Sequence, residues 1–281
     1  MKFARRAFLT AGGLLTLMPR RMLATPPPPD FSLTGTREQG CLMIGRTFEP
    51  AQVTLEGKAI HVSPEGYFAI GIAYDRTDPL HYSVILPNGL VENNWITPIA
   101  RQYEVQAVNG LPQQFVTPSA EDLVRIRREG ALIAEARTRD TDGVGFAEPF
   151  DWPFAGIVTS VYGSRRIENG TPMAPHLGVD IAAPEGTPIH AAADAVVSIA
   201  DDYFLDGGFT LLDHGHGVSS CYLHQSKRLV TAGDMVARGE VIGLVGQTGR
   251  ATGPHTHWGL NWFQVKLDPS RSTPTPEPPK A

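Results

Sequence analysis

Three short motifs between residues 176 and 257 contain the side chains with the clearest chemistry. They are His176-Leu-Gly-Val-Asp180, Tyr222-Leu-His224 and His255-Thr-His257. On a strand, the two histidines of the last motif project from one face with Cβ atoms ~6–7 Å apart, so both imidazoles can reach one metal ion. Two imidazoles and a carboxylate form a three-ligand zinc set that leaves a position for water, which is typical of hydrolytic sites. The motifs therefore predict a hydrolytic metal site with more histidines than the ligand set requires.

The spacing within the first motif needs a bend in the chain. Four residues of straight strand would hold His176 and Asp180 ~13 Å apart, too far for two ligands at ~2 Å from one ion. Gly178 lies between them and offers that bend. The remaining close pair, His214-Gly-His216, is predicted to form part of a turn rather than a ligand pair.

The segment 227–253 has features of two unrelated kinds of site. Its glycines do not form the Gly-x-x-x-x-Gly-Lys-Ser/Thr pattern of a phosphate loop, and they lie between predicted strands rather than before a helix. Residues 232–243 resemble the hairpins of lipoyl and biotinyl carriers, but no lysine lies at a suitable tip. Nucleotide binding and a swinging-arm carrier are therefore set aside.

The composition favours a mainly β protein without nucleic-acid partners. Among 281 residues there are 29 Gly and 24 Pro, while 8% are aromatic, which indicates many turns and short strands rather than long helices. After residue 24 the chain has 19 basic and 29 acidic side chains. Such a chain is a poor candidate for binding nucleic acid or an anionic membrane through bulk charge. The oligomeric state is left open.

The N-terminus has the layout of an export signal. Residues 1–24 combine a basic start with an apolar run at 11–18, and Arg5 and Arg6 followed by Phe8 are similar to a twin-arginine signal. The run is shorter than the ~20 residues that span a bilayer, so no stable membrane span is expected after cleavage near Ala24. We expect an exported, periplasmic protein.

Strand-like runs and turns divide the rest of the chain into two β units joined by a helix. The pattern Ser119-Ala-Glu-Asp122 precedes apolar residues at helical spacing and predicts one helix over 119–138. The predicted segments are a Pro-rich spacer at 25–30, a β-sandwich at 31–112, a helical connector at 113–149, an antiparallel β domain at 150–268 and a disordered tail at 269–281.

The two cysteines do not form a metal or redox motif. Cys41 and Cys221 lack any Cys-x-x-Cys spacing. Two buried free thiols are the favoured interpretation, and an oxidising compartment leaves a disulfide between them open.

The three motifs, in this order, resemble the signatures of the LytM/lysostaphin-type M23 zinc metallopeptidases. The similarity covers about residues 150–265, including Gly163-Ser-Arg-Arg166 and the segment 239–246. The N-terminal region, with Arg101-Gln-Tyr103 and residues 109–112, is similar to the β-sandwich that precedes this peptidase domain in some members.

The resemblance implies one zinc ion per chain, bound by His176, Asp180 and His257. It implies that His224 and His255 are the catalytic histidines, which we treat as a pair because the sequence does not assign the proton to either. The implied substrates are peptide cross-links of bacterial peptidoglycan, with the D-alanyl-to-diaminopimelate bond first and glycine bridges next. An autoinhibited or non-catalytic regulator of other wall hydrolases on the same fold is the alternative.

Overall fold

The computed structural model of the protein describes residues 31–275 and residue 278. The predicted export signal and Pro-rich spacer lie outside the described residues. Strands prevail within them, which confirms the predicted mainly β fold. No helix among the described residues is long and apolar enough to cross a membrane.

The N-terminal unit is a β-sandwich of two antiparallel sheets. One sheet has the order β1-β2-β5 and the other β4-β3-β6-β7. Met43, Val53, Phe68, Ile70 and Val84 are buried in the core of this unit. The strands are β1 (Phe31–Thr34), β2 (Leu42–Thr47), β3 (Gln52–Leu55), β4 (Lys58–Ile60), β5 (Tyr67–Gly71), β6 (Leu80–Ile85) and β7 (Val91–Ile96).

The connector contains a short strand, a helical turn and one long helix. They are β8 (Val105–Val108), α1 (Gln113–Val116) and α2 (Ala120–Ala136). The Ser119 side chain accepts a hydrogen bond from the Asp122 backbone N–H, and the Asp122 carboxylate accepts one from the Ser119 backbone, which together satisfy two N–H groups at the start of α2. The predicted helix is confirmed, and it ends at residue 136 rather than 138.

The C-terminal unit is built on an eight-stranded antiparallel sheet of order β18-β14-β15-β16-β20-β12-β9, with β21 paired to β20. Successive side chains along each strand point to opposite sides, so the sheet has two different faces. Tyr222, Trp258 and Leu260 project into the main core, whereas Cys221 and Phe209 belong to a smaller cluster with Ile133 of α2. The strands are β9 (Ile157–Ser160), β10 (Arg165–Glu168), β11 (Thr171–Pro172), β12 (Val179–Ala182), β13 (Pro188–His190), β14 (Ala195–Tyr203), β15 (Gly207–Gly215), β16 (Val218–Gln225), β17 (Lys227–Arg228), β18 (Met235–Val236), β19 (Val241–Leu244), β20 (His255–Trp262) and β21 (Val265–Leu267).

Strand β8 pairs with the C-terminal unit rather than with the sandwich. This strand lies within the predicted sandwich of residues 31–112, but it runs parallel to β10, with Val105 opposite Arg165 and Val108 opposite Glu168. The Tyr103 ring, just before β8, packs directly on Gly163, just before β10. A Cβ atom at Gly163 would lie 2.1 Å from that ring, so this close contact requires a glycine. A strand pattern indicates local conformation but not the partner, which explains the difference.

The first residues of the predicted disordered tail pack against the C-terminal unit. Pro269–Arg271 form a 3₁₀ turn, and the Phe150 N–H donates to the Ser272 carbonyl at 2.9 Å. The Trp152 indole N–H donates to the Thr275 carbonyl at 3.0 Å. Residues 276, 277 and 279–281 of that predicted segment lie outside the described residues.

Both cysteines are buried free thiols, as the sequence favours. Cys41 accepts a hydrogen bond from the Thr36 hydroxyl at 3.0 Å, and Cys221 lies 3.9 Å from an Arg137 nitrogen. The two thiols therefore belong to different surroundings.

A buried ion pair joins the connector to the end of the C-terminal unit. Arg101 donates to the Asp268 carboxylate at 2.8 Å, and the Asp268 side chain is 2% exposed. The Asp268 backbone N–H also donates to the Gly40 carbonyl in the sandwich. Asp268 thus contacts both other parts of the chain.

Replacing Arg101 by Met should destabilise the protein by about 3 kcal/mol, because it leaves the Asp268 charge buried without its partner. The measurement is the urea midpoint at neutral pH. Arg238→Met is the matched control, since its ion pair with Asp151 is more exposed, at 32% and 53%, and should cost under ~1 kcal/mol. Equal midpoints for the two variants would contradict the prediction.

Candidate metal centre

Three potential ligand atoms converge at one point on the sheet. His176 Nε2 lies 2.8 Å from His257 Nδ1 and 2.9 Å from Asp180 Oδ1, and the last two atoms are 3.0 Å apart. Within the described part of the chain this is the one cluster of three such side chains close enough to share an ion. It contains the three residues for which the sequence predicts zinc binding.

Adjacent strands and a turn bring these residues together. β12 and β20 pair antiparallel with Asp180 opposite His257. His176 precedes β12, where its N–H donates to the Ser164 carbonyl at 2.8 Å and its carbonyl accepts from the Gly163 N–H. These contacts turn the chain out of a straight strand, so the imidazole reaches Asp180 despite the four-residue separation.

Gly178 contributes space for a ligand side chain. A Cβ atom at this position would lie 2.3 Å from His257 Nε2 and 2.8 Å from the Trp258 carbonyl oxygen. A glycine at this position therefore leaves room for the His257 ring next to the backbone.

The hydrogen bonds of His176 select its tautomer. Its Nδ1 lies 3.0 Å from the Ser160 hydroxyl oxygen and 3.3 Å from the Val161 carbonyl oxygen. Ser160 donates its own hydrogen to the Gln106 side-chain carbonyl at 2.6 Å, so it accepts from His176. In the neutral ring Nδ1 then carries the proton and leaves a lone pair on Nε2, the atom that faces the other ligands.

The second carboxylate oxygen of Asp180 binds an arginine. Arg166 donates to Asp180 Oδ2 at 2.5 Å and lies 3.9 Å from the buried carboxylate of Glu168. Arg250 also pairs with Glu168, at 3.1 Å. Burial by itself would raise the pKa of Asp180, but its contacts with His176 and His257 hold that pKa well below the usual range.

The donor set fits a zinc ion. Burial lowers the pKa of His257 to about 4, so its imidazole is neutral, the form that binds metals. Two imidazole nitrogens and a carboxylate oxygen at 2.8–3.0 Å from one another need protons or a cation between them. Ligands bonded to tetrahedral zinc at ~2.0–2.1 Å stand about 3.3 Å apart, a few tenths of an ångström wider than this triangle.

His224 and His255 lie beside the triangle with the same ring nitrogen free. Their ring centroids are 4.7 Å apart, and His255 Nε2 is 3.9 Å from Asp180 Oδ1. Nδ1 of His224 donates to the Thr248 carbonyl and Nδ1 of His255 to the Gly253 carbonyl, each at 2.8 Å. A carbonyl only accepts, so in the neutral rings both Nε2 atoms have lone pairs.

A local distortion of β16 positions His224. Its φ of 66° lies in the left-handed region, and the pairing of β15 with β16 shifts register between Gly208 and Thr210. Strict alternation would place His224 on the core face with Tyr222, whereas a bulge can redirect one side chain. Burial, with a smaller contribution from the nearby His255, lowers the pKa of His224 to about 3, so its ring is neutral.

The pair His214 and His216 lies away from this site, but only His216 is in the predicted turn, whereas His214 is a buried residue of β15. His216, with a φ of 51°, lies in the turn that joins β15 to β16. His214 is buried and contacts the Ser220 hydroxyl at 2.8 Å and the Asp194 carbonyl at 2.9 Å. Neither ring reaches the ligand triangle.

Sequence reasoning missed the residues that surround the ligands. Arg166 is part of a motif quoted for its resemblance, but its contact with Asp180 was not predicted. Ser160 and Gln106 lie in no recognised motif, and Gln106 comes from β8, a strand within the predicted sandwich segment that pairs with β10. Only the three-dimensional pairing of β8 with β10 brings Gln106 to the site.

Comparison with known proteins identifies a segment that contains all five site residues. The profile of "Peptidase family M23" matches residues 174–269. Peptidoglycan DD-endopeptidase ShyA of Vibrio cholerae is 42% identical over 104 residues, which is 37% of this chain and 24% of that protein. DD-carboxypeptidase/endopeptidase Mpg of Neisseria meningitidis is 42% identical over 103 residues, covering 36% of this chain and 24% of that protein.

One solved structure is similar over most of the chain. A crystal structure described as a peptidase M23 from Pseudomonas aeruginosa has a TM-score of 0.65 and 31% sequence identity, covering 84% of this chain and 94% of that one. The similarity therefore extends to the sandwich and connector, whereas the two curated relatives match over about a quarter of their own length.

Gly178→Ala should weaken zinc binding at least ~10-fold, because the new methyl group displaces the His257 ring. Competition with a chromophoric chelator measures the affinity. Gly253→Ala is the control, since a Cβ atom there meets nothing within 4 Å. Unchanged affinity in the Gly178 variant would refute the proposed need for space.

Proposed function

The chain belongs to peptidase family M23, and on that premise we propose that it is a zinc-dependent endopeptidase that hydrolyses peptide cross-links of bacterial peptidoglycan. The observation that carries the proposal is the convergence of five side chains on one cavity. Three supply adjacent metal-ligand atoms, and two supply imidazoles with a free Nε2.

In this proposal His176, Asp180 and His257 hold one zinc ion. Zinc, when bound, acidifies water and polarises the carbonyl of the bond to be cleaved. Ser160 fixes the His176 ring, and Arg166 occupies the outer oxygen of Asp180, so that Oδ1 is directed to the ion.

His224 and His255 handle the proton and the developing charge. Each keeps its own hydrogen on Nδ1, bonded to a carbonyl, and each presents Nε2 to the cavity. A neutral Nε2 can accept the proton of the attacking water, and the protonated ring can donate a hydrogen bond to the oxyanion. We assign these roles to the pair, as the sequence analysis does.

The proposed substrate follows from the family and from the relatives. Two of them are named as DD-endopeptidases of peptidoglycan or as DD-carboxypeptidase/endopeptidases. The D-alanyl-to-diaminopimelate cross-link is therefore our first choice of bond. Action on the wall requires export, for which residues 1–24 provide the signal-like sequence.

We also propose a domain division that differs at one boundary from the sequence prediction. Residues 31–99 form the sandwich, and β8 belongs functionally with the peptidase because it pairs with β10 and supplies Gln106. An autoinhibited resting state is the second candidate, since residues 106–109 and Leu111 line the cavity that contains the ligands.

Substitution of the five residues should separate metal binding from turnover. We expect His257→Ala and Asp180→Ala to lose both zinc and hydrolysis. We expect His224→Ala and His255→Ala to keep about one zinc per chain and to lose ~10²–10⁴-fold in turnover, the range for a general acid–base group.

The assay incubates the full mature chain, with zinc and then with chelator, on cross-linked wall-peptide dimers and identifies the products by mass spectrometry. His81→Ala in the sandwich is the control and should behave as the unsubstituted protein. Full activity in His224→Ala would reject the assignment of roles. Zinc binding without any dimer cleavage would favour the autoinhibited or regulatory alternative.

A further inference from the structure

The cavity of the metal centre continues along the sheet, past the ligands. Its volume is about 740 Å³. Cys221 forms part of the cavity floor and lies opposite Gly259 in the pairing of β16 with β20. Gly259 follows His257 by two residues, so this part of the floor is ~7 Å along the strand from the ligand. We name this part the distal pocket and define it by its polar residues, Arg137, Asp206, Cys221, Asn261 and Lys266.

Two cations in the distal pocket lack an anionic partner. Arg137 is 7% exposed, and its Nε atom has no hydrogen-bond partner. One of its terminal nitrogens lies 3.9 Å from the Cys221 sulfur. The Lys266 ammonium makes no ion pair with any side chain in the described residues, and burial, followed by the charge of Arg137, lowers its pKa to about 8.

The acidic groups of the cavity form no ion pair with these cations in the described residues. Asp180 and Glu168 are paired with Arg166 and Arg250. Asp206 forms no ion pair among the described residues; burial raises its pKa, and the charges of Lys266, Arg250 and Arg137 act in the opposite direction. A buried guanidinium without an ion-pair partner is costly, and an anion would relieve that cost.

We propose that the distal pocket binds a free carboxylate of the peptide substrate through Arg137 and Lys266. The proposal rests on the proposed function and names the substrate group that this part of the site recognises. Diaminopimelate that is cross-linked through its side-chain amine keeps a free carboxylate on the carbon that bears that amine, so the group lies within one residue's length of the scissile bond. Guanidinium and ammonium groups bind carboxylates through charge-assisted hydrogen bonds.

A purely structural role for Arg137 gives a different expectation. Arg137 is the C-cap residue of α2, where a cation stabilises the helix end. Removing its charge would then affect all substrates equally. Only if Arg137 binds the carboxylate would its substitution reduce the discrimination between a carboxylate and its amide.

The test uses the zinc-loaded full chain and two probes, a monomeric wall stem peptide with free diaminopimelate carboxylates and the same peptide with those carboxylates amidated. Calorimetric titration near neutral pH gives both dissociation constants. We expect the unsubstituted protein to prefer the free acid by ~10-fold or more. Arg137→Gln and Lys266→Gln should each reduce this preference to within ~2-fold, and Arg137→Lys should restore part of it.

Arg139→Gln is the matched control, because this exposed arginine lies two residues beyond Arg137 and contacts Ser198 instead of the pocket. It should keep the full preference. Equal binding of both probes to the unsubstituted protein, no binding of either probe, or equal weakening of both probes by Arg137→Gln would overturn the proposal.

Turnover of cross-linked dimers is measured separately on the same proteins. Carboxylate-selective binding without cleavage would refute the endopeptidase and leave the distal pocket as a carboxylate site. Cleavage without carboxylate selectivity would refute the distal pocket alone.

Discussion

The charge on Asp180 is the constraint on which the rest of the site depends. A buried carboxylate is normally driven to its neutral form, and a neutral carboxyl is a poor metal ligand. Contacts with two imidazoles keep its pKa low, and Arg166 holds the oxygen that faces away from the triangle. Arg166 is itself supported by Glu168, which Arg250 also binds. Positive and negative side chains thus alternate from Arg250 to Asp180, and the series ends at the metal position.

Much of the site could be predicted because its ligands lie in short motifs. The period of a strand places His255 and His257 on one face, and a turn signal was enough to set aside His214 and His216. The contacts of Arg166 could not be predicted in the same way. An arginine in a β-rich segment is usually solvent-exposed, and only the approach of β10 to Asp180 makes it part of the site.

Fold prediction succeeded where the signal is local and failed where it is not. The capping residues of α2 and the turn residues of the sandwich hairpins identify their elements directly. The sequence of β8 predicts a strand, but its partner β10 lies about 60 residues later in the sequence, and no local pattern encodes that pairing. Composition likewise indicated disorder after residue 268, whereas a hydrogen bond from Trp152 holds Thr275 against the domain.

The two faces of one sheet explain how a small domain accommodates both stability and chemistry. Tyr222 and Trp258 are fully buried on the core face and fix the strands. The opposite face is free to carry polar groups, with the ligand triangle at one end and α2 covering the other. Arg137 extends from the end of that helix into the space between them. The helix therefore forms one wall of the cavity, and the charge on that wall selects which substrate groups can bind there.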